Sequence, residues 1–91
     1  MADSLSVDIV GPDRVLWSGT AERVIAPSVE GDLGFLANHE PVLSVLRPGT
    51  VRVHGADGDT SVDIVGGFVS FDHNVVTIVA EQVELESPAS E

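Results

Sequence analysis

The sequence predicts an all-β fold, a sandwich or flattened barrel of about ten short antiparallel strands, with no C-terminal helical domain. Three observations lead there. β-branched residues dominate, with sixteen Val, four Ile and four Thr against seven Leu and seven Ala, and such side chains pack well on a pleated sheet and crowd a helix. Apolar and polar residues alternate in several segments, the period of a strand with one face in a core. Gly, Pro, Asp and Asn punctuate these segments at short intervals, so nothing between them sustains a helical period.

The elements follow in order. Residues 5–9, Leu-Ser-Val-Asp-Ile, alternate strictly and form the first strand. Gly11-Pro12-Asp13 supplies turn chemistry before a run at 14–17, and Ser18-Gly19 separates that run from one at 20–26. Residues 27–41 alternate poorly and predict an irregular surface excursion, a kind of loop that often makes contacts. Residues 42–46 form the next strand, closed by Arg47-Pro48-Gly49; the runs 50–53 and 61–64 alternate on either side of an Asp57-Gly58 hairpin turn. Runs at 68–71 and 75–80 flank Asp72-His73-Asn74, and 82–85 is the last. Gly66-Gly67, inside an apolar run, predicts a β-bulge or a place where another backbone comes close. The expected domain spans 1–86, and residues 87–91, small, polar and acidic, are expected to be a disordered tail.

Composition excludes whole classes of function. Ninety-one residues accommodate one core. Fifteen acidic residues against four Arg give a net charge of −11, which repels phosphate backbones and anionic lipid, so neither nucleic acid nor direct membrane contact is expected. All four basic residues are arginine, which excludes Schiff-base chemistry and a phosphate-loop lysine. The lack of cysteine excludes disulfides, thiol nucleophiles and iron–sulfur ligation. No apolar stretch approaches the roughly 20 residues that span a bilayer, and Met1-Ala2-Asp3-Ser4 lacks the basic and apolar regions of a signal peptide.

Candidate chemistry is thin. His39, His54 and His73 lack the close spacing of metal-binding pairs and read as surface or loop residues. Asp57-Gly58-Asp59 with Asp63 misses the Glu-terminated calcium loop. Gly31 and Gly34 lack the third glycine, lysine and helix of a phosphate cradle. No Ser-His pairing points to a nucleophile. The expectation is no catalytic group, no metal and no cofactor. From the residues alone, three readings stay open: an assembly module, a free-standing acidic module binding a small ligand or peptide edge, and a small β-barrel enzyme.

Taken in order, Leu5-Ser6-Val7-Asp8-Ile9-Val10, Gly19, Glu30-Gly31-Asp32-Leu33-Gly34, Asn38-His39-Glu40-Pro41-Val42-Leu43, Leu46-Arg47-Pro48-Gly49, Gly66-Gly67-Phe68 and the run 74–80 closely resemble the epsilon subunit of bacterial F-type ATP synthases. The resemblance covers about residues 5–85. It implies a ten-stranded sandwich in the central stalk of a proton-translocating rotary enzyme, a non-catalytic rotor subunit that couples the gamma subunit to the membrane c ring. It also implies a peripheral location on the cytoplasmic face of the bacterial cell membrane, membrane contact only through the complex, and a monomer when isolated.

Matched residue by residue, the resemblance implies c-ring contact through Glu30, Gly31, Asp32 and Leu33, with Asp32 keeping a charge on a shorter arm. Gamma contact is implied at His39, Pro41 and Val42, helped by Gly66 and Gly67. Two departures stand out. Ala37-Asn38 replaces the family's Pro-Gly, and Asn tolerates the left-handed backbone that Gly supplies. Family members commonly add two helices that brake ATP hydrolysis; without a counterpart to them, this chain is expected to couple without that brake.

Overall fold

The computed structural model describes residues 4–56 and 58–81. Among them are nine strands and no helix: β1 (Leu5–Val10), β2 (Val15–Ala21), β3 (Arg23–Ser28), β4 (Gly31–Phe35), β5 (Val42–Leu46), β6 (Gly49–Gly55), β7 (Gly58–Ile64), β8 (Gly67–Asp72) and β9 (Val75–Ala80). The run at 82–85, the boundary at 86 and the tail 87–91 lie outside the described residues.

The strands form one curled sheet in the order β2-β1-β9-β8-β5-β3-β6-β7, with β4 on β3. The sheet turns over at β3. Its first half pairs with β6, Val24 opposite Val53, whereas its last residue, Ser28, lies opposite Leu46 of β5. Inward positions from all around the curl meet in one core. Leu5, Val7 and Ile9 of β1 are buried, as are Val51 and Val53, Val69 and Phe71, and Val76 and Ile78. Phe35 and Phe71 stack within it, with ring centroids 5.3 Å apart. The strict alternation of residues 5–9 and 50–53 thus reports which side of the sheet is dry.

Three expectations are corrected. The excursion at 27–41 is not irregular throughout, because β4 folds back on β3 as a hairpin from Ser28 opposite Gly31 to Val24 opposite Phe35. Leu33 and Phe35 point inward and Asp32 and Gly34 outward, an alternation hidden by the two glycines. Ser18-Gly19 is not a turn either. Both continue the ladder of β2 opposite Asp8 and Val7, with the Ser18 hydroxyl donating to Asp8 at 2.7 Å. Gly19 serves packing, since a Cβ there would stand 3.0 Å from the Trp17 ring. Finally, the sheet is not wholly antiparallel. β1 and β9 run parallel, Ser6 opposite Val75 through Val10 opposite Val79, so the first and last described strands lie side by side inside the sheet, with β2 and β7 at its two ends.

The β8–β9 turn is a two-residue hairpin with His73 at φ 49° and Asn74 at φ 62°. Positive φ at both central residues is the type I′ geometry whose twist matches that of the flanking strands.

Candidate docking surfaces

One candidate surface is the β3–β4 turn. Ser28 is the buried polar residue that organises it. Its hydroxyl shares a 2.9 Å hydrogen bond with that of Ser44 and accepts one from the Glu30 N–H at 3.1 Å. The Val29 N–H donates to the Val45 carbonyl. Glu30, Gly31 and Asp32 are exposed, whereas Leu33 turns inward against the core. Gly31 stands at φ 123°, closing the two-residue turn. Asp32 is already paired, its carboxylate 2.9 Å from the Arg47 guanidinium.

The second candidate surface lies at the opposite end of β5. Asn38 takes the left-handed backbone at φ 69°, as expected from its place in the motif, and its N–H donates to the Asn74 side chain. His39 is half-buried, edge-on to Phe35 and Phe71 at 5.3 and 5.4 Å, and its Nδ1 donates to the Glu40 carbonyl at 2.7 Å. With Pro41, Asp72 and His73 these residues line a shallow cleft. Val42 faces inward and packs against the core; the side chain presented to solvent is Leu43, 78% exposed. Gly66 and Gly67 are buried at positive φ. A Cβ on Gly67 would overlap the Val79 carbonyl oxygen, so this pair provides the close backbone approach rather than an exposed contact.

Between the two ends runs a surface that pattern reading missed. The outer face of the sheet carries Leu43 and Val45 on β5, Phe68 on β8, and Val75 and Val79 on β9, all exposed. Cross-strand register makes a row of them: Val45 lies opposite Phe68, Phe68 opposite Val79, and Val79 opposite the half-buried Val10. A contiguous apolar row on an otherwise acidic molecule makes this face a candidate interaction site. The signal was available in β5, whose apolar residues occupy both faces, as strands covered on both sides do.

Among the described residues no three His, Asp or Glu converge to hold a metal ion. His54 and His73 each sit beside one carboxylate, Asp59 at 3.3 Å and Asp72 at 2.8 Å. Among the described residues no helix is long and apolar enough to cross a membrane.

Comparison with known proteins places these features in a family. Residues 4–86 match the family described as the β-sandwich domain of the ATP synthase delta/epsilon chain. The ATP synthase epsilon chain of Streptomyces avermitilis is 44% identical over 86 residues, covering 93% of this chain and 69% of that protein. That of Frankia casuarinae is 44% identical over 82 residues, covering 89% of this chain and 96% of the relative. In fold, the chain is similar to one in the OSCP/F1/c-ring structure of Euglena gracilis mitochondrial ATP synthase, with a TM-score of 0.82 at 24% identity, over 89% of this chain and 52% of that one. A central stalk/c-ring chain of the Tetrahymena thermophila mitochondrial ATP synthase gives 0.72 at 18% identity, over 91% of this chain and 67% of that one.

Proposed function

The chain belongs to the ATP synthase delta/epsilon family through its β-sandwich domain, and from that membership we propose that it is a non-catalytic coupling element of the central stalk, joining a gamma subunit to the membrane c ring. The observation that carries this reading is the apolar row Val45, Phe68, Val79 and Val10 on the outer sheet face, lying between two exposed polar ends. β5 separates those ends by roughly 15 Å, five residues at about 3.3 Å each. Torque is transmitted through packed contacts, and a close-packed sheet body with low compressibility suits that task.

In this assignment the gamma subunit covers the apolar row together with His39 and Pro41, while Val42, Gly66 and Gly67 support that face from within. The exposed β3–β4 turn, with Glu30, Gly31 and Asp32 backed by Leu33, meets the c ring. The chain itself contributes no active site. It sits peripherally on the cytoplasmic face of the membrane, held there by its partners.

The test is a binding titration against the gamma subunit. Phe68→Glu places a charge in the centre of the row and is expected to weaken affinity at least about tenfold, as loss of a central aromatic anchor does. The variant's melting temperature should stay near that of the parent, because Phe68 is 46% exposed. Unchanged affinity would remove the gamma subunit from this face and favour a free-standing binding module.

A further inference from the structure

We propose that Arg47 is a positioning residue for the docking turn: it ties Asp32 into an internal clamp and leaves Glu30 as the carboxylate presented to a basic side chain of the c ring. This rests on the reading of the β3–β4 turn as the ring-facing surface.

Arg47 follows β5 and reaches three points on the hairpin. Its backbone N–H donates to the Pro27 carbonyl at 2.9 Å. Its Nε donates to the Ser28 carbonyl at 3.1 Å, and its Nη2 to Asp32 Oδ1 at 2.9 Å. One planar fork thus holds the end of β3 and the second residue of β4 together, a geometry that the single ammonium of lysine does not reproduce. Ser28 is the hub on the other side, fully buried and bonded to Ser44 and to the Glu30 N–H. The turn Val29-Glu30 is therefore anchored at both ends.

The clamp changes which group can meet a partner. Asp32 is paired with Arg47, whereas Glu30 is exposed and has no ion-pair partner among the described residues. Beside Glu30 stand the exposed Val29 and Gly31, where a Cβ would meet nothing within 4 Å. The three together offer one charge, one apolar contact and bare backbone, which fits a polar loop bearing a cationic side chain.

The experiment compares Glu30→Gln, Asp32→Asn, Arg47→Gln, Arg47→Lys and the double variant Asp32→Asn/Arg47→Gln. Amide exchange at Val29 and Glu30 is read in the full chain, and the ratio of proton pumping to ATP hydrolysis in the reconstituted enzyme. Asp32→Asn and Arg47→Gln should each speed exchange about two- to fivefold, the scale of an exposed ion pair, and the double variant no more than either alone. Arg47→Lys should recover only part of the protection. Glu30→Gln should leave exchange unchanged and lower the pumping ratio more than Asp32→Asn does.

Additive exchange effects in the double variant, with Glu30→Gln still uncoupling, would overturn the clamp and leave the docking reading intact. A larger loss of pumping for Asp32→Asn than for Glu30→Gln would overturn the presentation of Glu30. Coupled exchange with a pumping ratio untouched by every substitution would overturn both that presentation and the ring-facing reading, with the internal clamp left standing.

Discussion

Two glycines on this chain are glycine for opposite reasons. At Gly67 the Val79 backbone occupies the place of a Cβ, and the residue stands at φ 140°. Gly67→Ala therefore combines an overlap that only backbone movement relieves with a strained conformation, and should cost about 2–5 kcal/mol. Gly34 has no such constraint, since a Cβ there would meet nothing within 4 Å. Gly34→Ala should be neutral or stabilise by up to about 1 kcal/mol. Urea titrations of both variants check the pair; equal costs would contradict the backbone approach described for β8 and β9. Which of the two glycines is indispensable was not legible in the sequence. Gly66-Gly67 stood out as a doublet, but its partner, Val79, lies twelve residues away.

At the scale of the strand, β5 and β8 differ from β1 and β6 in what their outward positions hold. β1 and β6 alternate apolar inside with polar outside, as Val51 and Arg52 illustrate. β5 and β8 put Leu43, Val45 and Phe68 outside as well. Replacing an inward residue and an outward one should therefore have different consequences. Val51→Asp buries an unpaired carboxylate, which costs several kcal/mol against a net stability of about 5–15, and should abolish a cooperative melt near the parental temperature. Val45→Asp, on a half-exposed site, should shift stability by less than about 1 kcal/mol. Thermal melts followed by circular dichroism distinguish them, and a fully unfolded Val45→Asp variant would show that the outer face is structural rather than free for docking. The same logic explains the inward Val42. Its place beside Pro41 suggests an exposed contact, yet the pleat sends it to the core and hands the exposed position to Leu43.

For the molecule as a whole, charge is the largest unbalanced quantity. With fifteen acidic residues and four arginines on 91 residues, self-repulsion opposes the compact state and added salt screens it. The melting temperature of the isolated chain is expected to rise as monovalent salt goes from about 10 to 150 mM, where the Debye length shrinks from about 30 to 8 Å. The opposite trend would mean that attractive pairs such as Arg47–Asp32 outweigh the net repulsion.

The amino-acid sequence by itself determined the class of fold, most of the strands, their inward residues and the sharp turns, because alternation and turn chemistry act over a few neighbouring residues. Leu5, Val7 and Ile9 face a core for reasons visible within five positions, and Asp72-His73-Asn74 announces its hairpin unaided. Tertiary structure decided the rest. The parallel contact of β1 with β9, the row that joins Val10, Val79, Phe68 and Val45, and the reach of Arg47 to Asp32 each unite residues distant along the chain. Strand order and register in the curled sheet set those meetings, and a local pattern leaves the identity of a strand's neighbour unspecified.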